Sequence, residues 1–198
     1  MEALNHTVFL WLNAPEQPNA LAEVLAIFLA EYLIWAVPAL IGLGWLRGDE
    51  RTRKAMLVAT AAALLGLLVN QLIGLAWDHP RPFVIGLGHT LIPHVADSSF
   101  PSDHLTLWWA VAFSLLLQRT PRGLGAWLVP LGLPIAWARI YLGVHYPLDM
   151  LGAALMGLSS AWLSLRAAQG YLPPVYRLAS HIHRALFSRL IARGWVRD

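Results

Sequence analysis

Five long apolar runs, separated by short polar segments, dominate the 198-residue sequence. They cover residues 21–46, 55–77, 104–119, 123–141 and 149–167. An α-helix needs about 20 apolar residues to cross the roughly 30 Å hydrocarbon core of a bilayer. Only 13% of the residues are charged, whereas soluble domains contain about 25%. The sequence therefore predicts an all-α, multi-pass membrane bundle of five to six helices in a single domain, 1–198.

Several segments depart from a regular span. The third run has 16 residues, which gives about 24 Å of helix. Pro38 lies inside the first run and is expected to kink it. Residues 4–12 are too short to span, so we expect an interfacial helix or a partial sixth element there. The stretch 171–196 mixes apolar residues with arginines and predicts a basic amphipathic helix on an anionic membrane face.

The distribution of basic residues orients the predicted bundle. Of the 14 lysines and arginines, 12 follow the first, third or fifth apolar run, and these regions share one side of a five-span protein. The positive-inside rule makes that side cytoplasmic. The other two, Arg81 and Arg139, lie in the opposite loops, which are therefore predicted to be extracytoplasmic. Because no basic segment precedes an apolar run in the first twenty residues, the first span is expected to direct insertion without a cleavable signal.

Composition also excludes some classes of function. The chain has no cysteine, which excludes disulfides and thiolate metal sites. The basic residues lie between hydrophobic segments rather than on one soluble face, which argues against a nucleic-acid partner.

One group of polar residues, Ser102, Asp103 and His104, follows Pro101 where the third run begins. Ser102 or Asp103 is a natural N-cap for that helix. The start of a helix offers unpaired backbone N–H groups and a partial positive charge, which suits a phosphate. The alternative is a simple helix cap beside an interfacial histidine.

A second group consists of Arg139, His145 and Asp149, with Pro147 in the first turn of the fifth helix. Asp149 is about one turn from His145 and can accept a hydrogen bond from one ring nitrogen. The other nitrogen then carries the lone pair that a nucleophile needs. Alternatively, Asp149 is there because a carboxylate is favoured at a helix N-terminus, and Arg139 extends to the membrane interface.

Arg81 follows the second run, between Pro80 and Pro82, which stiffen its backbone. Two guanidinium groups, those of Arg81 and Arg139, can hold the oxygens of a phosphate. The alternative for Arg81 is an interface anchor paired with Asp78 or with lipid headgroups.

Two other classes of function remain open from the residues alone. His104, His145 and Asp149 could bind zinc, although the neighbouring arginines favour an anion and would repel a cation. A transporter or structural membrane protein would place polar residues along the middle of the bundle, whereas the charges here gather at one face.

The ordered set Arg81-Pro82, Ser102-Asp103-His104 and Arg139 to Asp149 resembles the type 2 phosphatidic acid phosphatase superfamily, most closely its bacterial undecaprenyl-diphosphate phosphatase branch. The resemblance implies that His145 attacks phosphorus to form a phosphohistidine. It implies that Asp149 orients His145 and that His104 protonates the leaving oxygen and then activates water. The resemblance assigns phosphate binding to Arg81, Ser102, Asp103 through its backbone N–H, and Arg139. It implies no metal or other cofactor and fixes no oligomeric state.

The expected activity is conversion of undecaprenyl diphosphate to the monophosphate, outside the bacterial cytoplasmic membrane. The alternatives are a phosphatase of phosphatidylglycerol phosphate or phosphatidate, or a phosphotransferase to lipid A. One departure concerns the lysine that the family has seven residues before Arg81, where this chain has Gly74; His79, Asn70 and Gln71 are the candidate replacements. Asp103 is a second departure, since many members have glycine there. Glu31, inside the first run, either neutralises an arginine of the bundle or is protonated, and it is not assigned to the site. For His89 and His94 a solvated loop is expected, and the alternative is contact with substrate or headgroups.

Overall fold

The computed structural model describes residues 2–118 and 122–198. Within these ranges the regular secondary structure is entirely helical and contains no strand, as the sequence predicts. The α-helices are α1 (Glu2–Leu12), α2 (Ala20–Ile27), α3 (Ala36–Arg47), α4 (Glu50–Ala76), α5 (Asp103–Leu117), α6 (Arg122–Tyr141) and α7 (Pro147–Ala192).

The first span is one helical run with an irregular middle. A π-helical turn, Phe28–Tyr32, and a 3-10 turn, Leu33–Trp35, join α2 to α3. Pro38 has no N–H to donate to the carbonyl of Ile34 one turn earlier, and its ring crowds that carbonyl. The irregular turns accordingly lie just before Pro38.

Among the residues that the structure describes, four helical segments are long and apolar enough to cross a membrane: Ala20–Arg47, Glu50–Ala76, Gly123–Tyr141 and Pro147–Ala192. The third apolar run forms α5, which has only 15 residues, or about 22 Å of helix, as its short length in the sequence predicts. Asn70 near the end of α4 bonds Thr106 near the start of α5, and Gln118 after α5 bonds the Ala55 carbonyl near the start of α4. The short helix therefore runs antiparallel to α4 through the bundle.

Small residues let the helices around α5 approach closely. One face of α4 presents Ala55, Ala59, Ala62 and Gly66, all of them buried. The indole N–H groups of two tryptophans in α5 donate to carbonyls of α6, Trp108 to Leu128 at 2.8 Å and Trp109 to Val129 at 3.1 Å. Buried indoles need such partners, and these bonds fix α5 against α6.

The predicted fifth span and the predicted C-terminal helix form one 46-residue helix, α7. Ser164 donates to the Val58 carbonyl of α4, and Phe187 borders a cavity with Met56 and Leu57 of the same helix. A straight helix would separate Ser164 from Phe187 by about 34 Å. The helix must therefore turn back on itself, and the Pro173–Pro174 pair inside it provides the cause.

The end of α4, the start of α5, the end of α6 and the start of α7 meet at one end of the bundle, and α1 covers that end. Asn5 of α1 accepts a hydrogen bond from the Leu148 N–H at 3.0 Å, and the Phe9 ring packs on Tyr146. The amide of Asn13 donates to the carbonyls of His89 and Tyr141. The short N-terminal helix thus fixes the loops that carry the predicted site residues.

Candidate active site

His145 and Asp149 are held by the start of α7. Tyr146 is the N-cap, and its backbone N–H donates to Asp149 Oδ2 at 2.8 Å, while Pro147 begins the helix. This cap turns the carboxylate of Asp149 back towards His145, whose Nδ1 lies 3.2 Å from the same oxygen. The Ser99 hydroxyl also donates to Asp149 Oδ2. The sequence spacing of four residues therefore produces the expected His–Asp contact.

The second partner of His145 fixes its tautomer. Its Nε2 lies 3.0 Å from Nη1 of Arg81. Because a guanidinium only donates hydrogen bonds, Nε2 must carry the lone pair and Nδ1 the proton. The proton then points at Asp149 and the lone pair at the arginine. This is the tautomer that a nucleophilic Nε2 requires.

The charge state of His145 follows from its surroundings. The side chain is 1% exposed, and burial lowers the pKa of His145 well below 6.5, with the positive charges of Arg139 and Arg81 lowering it further. The imidazole is therefore neutral at neutral pH, with its lone pair available.

Arg81 is held between the loop that follows α4 and the loop before α7. Its Nη1 donates to the Val144 carbonyl at 2.9 Å, and its Nε donates to Asp97 Oδ1 at 2.8 Å. Its side chain is 6% exposed, whereas that of Asp97 is 60% exposed. A solvent-facing carboxylate therefore occupies one edge of a guanidinium that the sequence assigns to phosphate binding.

Arg139 has a parallel arrangement at the end of α6. Its Nη1 donates to Glu31 Oε1 at 2.8 Å, and its Nη2 lies 2.7 Å from Nε2 of His94. It is 1% exposed, and its Nε is buried without a hydrogen-bond partner among the described residues. Arg139 therefore retains a free donor inside the site.

His94 is half-buried beside the site, whereas the sequence favoured a solvated loop. Its ring lies edge-on to the His145 ring, with 6.2 Å between centroids. Burial lowers the pKa of His94, and the positive charges of Arg81 and Arg139 lower it further. His89 is exposed, as expected.

Ser102, Asp103 and His104 occupy the start of α5, with Ser102 as N-cap. The Ser102 hydroxyl is fully buried and has no hydrogen-bond partner in the described part of the chain. His104 is near enough to contribute to the lowered pKa of His145. The carboxylate of Asp103 faces α4, where it accepts from the amides of Asn70 at 2.8 Å and Gln71 at 3.0 Å.

The position of the family lysine, Gly74, borders a polar cavity of about 220 Å³ that also reaches Arg81 and Asp97. Of the three candidate replacements, Asn70 and Gln71 line this cavity and donate to Asp103. The His79 ring instead stacks on Trp77. At this position the chain therefore has neutral amide groups beside a carboxylate, and no lysine.

Four residues of the site were not assigned from the sequence: Glu31, His94, Asp97 and Ser99. Glu31 had a usable signal, because an ionisable group inside an apolar run needs a partner, but the sequence did not identify Arg139 as that partner. The sequence contains no signal that distinguishes Asp97 and Ser99, because both lie in a polar loop where such residues are common. Among residues 2–118 and 122–198 there is no group of three or more His, Cys, Asp or Glu residues able to hold a metal ion.

The family model of the PAP2 superfamily matches residues 54–171. The chain belongs to the PAP2 superfamily. The match runs from the first turns of α4 into α7 and contains all the site residues predicted from the sequence. Glu31, α1 and the C-terminal part of α7 lie outside it.

Full-length relatives agree with this membership. The putative undecaprenyl-diphosphatase YbjG of Escherichia coli K12 is 36% identical over all of both chains. The undecaprenyl-diphosphatase BcrC of Bacillus subtilis 168 is 35% identical over 94% of this chain and 95% of its own. The crystal structure of Aquifex aeolicus LpxE superposes with a TM-score of 0.65 at 26% identity, covering 82% of this chain and 95% of that one. Together with the apolar helices, these relatives make this PAP2 protein a multi-pass membrane protein.

Proposed function

We propose that this protein is an undecaprenyl-diphosphate phosphatase that produces undecaprenyl monophosphate and inorganic phosphate at the extracytoplasmic face of a bacterial cytoplasmic membrane. One observation carries the chemistry: the buried, neutral imidazole of His145 lies between a carboxylate on Nδ1 and a guanidinium on Nε2. The substrate rests on the two diphosphatase relatives, which match this chain over nearly its whole length.

In the first step, Nε2 of His145 attacks the terminal phosphorus. A P–N bond forms, and the bond from that phosphorus to the bridging oxygen breaks. Undecaprenyl monophosphate leaves, and protonated His104 donates its proton to the leaving oxygen and so becomes neutral. Asp149 accepts the hydrogen bond from Nδ1 and stabilises the positive charge that develops on the ring.

In the second step, water attacks the phosphohistidine. His104 takes the proton from that water, the P–N bond breaks, and inorganic phosphate is released. Arg81 and Arg139 stabilise the negative charge on the phosphoryl oxygens in both steps. The Ser102 hydroxyl and the backbone N–H of Asp103 supply further donors at the start of α5.

Substrate binding requires a rearrangement of the arginine contacts. Arg81 donates to His145 Nε2 and to Asp97, and Arg139 donates to Glu31. A phosphate that enters accepts the Nη1 donor of Arg81 and so frees the lone pair of His145. Asp97 and Glu31 keep the guanidiniums in place before and after each turnover.

The test is a substrate panel with detergent-purified protein. Phosphate release is measured from undecaprenyl diphosphate, phosphatidylglycerol phosphate and phosphatidate, and transfer to lipid A is measured in parallel. We expect the highest kcat/KM for undecaprenyl diphosphate and no phosphorylated lipid A. A higher kcat/KM for another lipid would replace the substrate assignment without affecting the site.

The mechanism has its own test. His145→Ala should lower the rate of phosphate release by at least about 1,000-fold, because the covalent step is lost. His89→Ala is the matched control, since His89 is an exposed histidine of the neighbouring loop. In the wild type, rapid quenching should trap an acid-labile phosphate, which peptide mapping assigns to His145. Turnover by His145→Ala at the wild-type rate would disprove the mechanism.

A further inference from the structure

A second polar cavity lies at the opposite end of the bundle. Its volume is about 280 Å³, slightly less than the roughly 300–1,000 Å³ of sites for drug-sized ligands. Along α4, the 17 residues from Arg53 to Asn70 correspond to about 26 Å, so this cavity is separate from the His145 site. The lining residues come from the start of α4, the C-terminal part of α7 and the chain end: Glu50, Arg53, Tyr176, Ser180, His183, Arg184 and Asp198.

Arg53 is a buried cation at this cavity. It is 3% exposed, and within the described chain it forms no ion pair with a carboxylate. Its Nε donates to the Trp45 carbonyl, and its Nη2 contacts the Arg197 carbonyl and the His183 ring. No hydrogen bond within the described residues occupies Nη1. A buried charge without a counter-ion is unfavourable, and an anion in the cavity would offset this cost.

Ser180 provides an independent observation. It is 7% exposed, and its hydroxyl is buried without a hydrogen-bond partner in the described part of the chain. An unpaired buried hydroxyl costs free energy, so a ligand that bonds it is favoured. Arg184 lies one helical turn further along α7, on the same face, and is exposed. Two guanidiniums and a hydroxyl thus surround the cavity, which is a donor set suited to a phosphate.

Two acidic residues, Glu50 and Asp198, also border the cavity. Glu50 binds Lys54 of its own helix, and Asp198 is exposed to solvent. Neither forms an ion pair with Arg53 or Arg184 among the described residues.

An apolar groove adjoins the polar cavity and shares Glu50 and Tyr176 with it. The groove has a volume of about 480 Å³, and its wall includes Ala168, Leu172 and Pro173 of α7. We propose that the two cavities together bind an anionic phospholipid. Its phosphate contacts Arg53, Ser180 and Arg184, and an acyl chain lies along the groove. The proposal does not depend on the phosphatase activity of the other site.

The experiment compares lipid retention by pocket variants and matched controls. Purified protein is reconstituted in nanodiscs of phosphatidylcholine with increasing phosphatidylglycerol, whose phosphodiester is not a phosphomonoester or anhydride that the proposed activity would cleave. Bound phosphatidylglycerol is counted by native mass spectrometry. Arg184→Gln and Ser180→Met alter the pocket. Arg189→Gln and Ser188→Met make the same changes at exposed positions of the same helix outside it.

We expect the two pocket variants to need about tenfold more phosphatidylglycerol for half-saturation, because each loses a strong contact, and the two controls to match the wild type. Equal retention by all five proteins would overturn the proposal. If size-exclusion chromatography shows that Ser180→Met is misfolded, Ser180→Ala replaces it, because alanine removes the hydroxyl and adds no volume.

Inorganic phosphate identifies the part of the lipid that binds. In the presence of free phosphate, displacement of phosphatidylglycerol from the wild type supports recognition through the phosphate group. Retention that phosphate does not displace, but that Arg184→Gln still weakens, supports a lipid held jointly by the headgroup pocket and the groove. If neither phosphate nor Arg184→Gln changes the retention of phosphatidylglycerol, the lipid does not bind in this cavity and the proposal is wrong.

Discussion

At the scale of single residues, the site depends on charges that are paired before any substrate arrives. Both arginines assigned to phosphate binding are buried, and each donates to a more exposed carboxylate, Asp97 or Glu31. Burial and the positive charges of Arg139 and Arg81 lower the pKa of His145, which keeps its imidazole neutral. The reactivity of this histidine therefore depends on neighbours contributed by three separate parts of the chain.

The first residue-scale prediction concerns the protonation of His145. Because its pKa is lowered, proton binding at His145 begins only below pH 6.5, and the acid limb of kcat/KM should lie below that pH. In Arg81→Met the loss of a nearby positive charge raises the pKa of His145 towards 6.5. Histidine ¹⁵N NMR of both proteins measures the two values, with Arg166→Met as the control for loss of a distant arginine. A lower value in Arg81→Met would contradict the electrostatic cause.

The second residue-scale prediction assigns Glu31 as a positioning residue for Arg139. Glu31→Gln keeps an oxygen acceptor but removes the charge, and Glu31→Leu removes both. We expect KM to rise by about tenfold in the first variant and by about 100-fold in the second, because a partly buried charged hydrogen bond contributes about 1.5–3 kcal/mol. Glu23→Gln, in the same helical run, is the control. If melting temperatures fall in this order while KM stays constant, Glu31 has only a structural role.

At the scale of helices, the close packing of α5 decides how the site is assembled. A Cβ atom placed on Gly157 of α7 would lie 2.8 Å from the Ala110 nitrogen of α5 and 2.9 Å from Trp109 Cβ. This close contact fixes the separation of α5 and α7, whose first turns carry His104 and Asp149 at the same end of the bundle. Glycine at this position therefore sets the distance between the two helices.

The corresponding prediction uses two glycines of one helix. Gly157→Ala should destabilise the protein by about 1–3 kcal/mol through overpacking, and phosphate release should fall with it. Gly170→Ala should leave stability unchanged or raise it by up to about 1 kcal/mol, since among the described residues no atom beyond its own helical turn lies within 4 Å of the added Cβ. Thermal unfolding in one detergent measures both. Equal melting temperatures for the two variants would contradict the packing argument.

At the scale of the whole molecule, the two ends of the bundle differ in charge and in chemistry. Arg81 and Arg139 lie at the end with His145, whereas Arg51, Arg53 and Lys54 begin α4 at the opposite end. The basic residues that follow the spans predict that this opposite end faces the cytoplasm. The active-site end would then face outward.

This orientation can be tested directly because the chain contains no cysteine. Thr90→Cys introduces a single exposed thiol in the active-site loop, and Arg51→Cys introduces one at the other end. In intact spheroplasts, a membrane-impermeant maleimide should label the first and leave the second unmodified until the membrane is permeabilised. The reverse pattern would place the active site in the cytoplasm and would rule out the proposed extracytoplasmic reaction.

The sequence by itself determined the features that rest on local periodicity and spacing. The apolar runs predicted a helical membrane protein, and the structure and its relatives confirm this. The motifs predicted PAP2 membership, which the family match confirms. The interval from His145 to Asp149 predicted their contact, because one helical turn has a fixed length. For residues on different helices, the number of residues between them does not give their distance in space. The hydrogen bonds from Asn70 and Gln71 to Asp103 therefore could not be predicted from their spacing.

Only the tertiary structure decided which distant residues complete the site. Glu31 reaches Arg139 across 108 residues, and Ser99 reaches Asp149 across 50. The turn of α7 back onto α4 and the burial of Arg53 likewise depend on contacts between elements that no local pattern encodes. The physical reason is that the free energy of a buried charge is set by whatever surrounds it in space, and those surroundings exist only once the helices have packed.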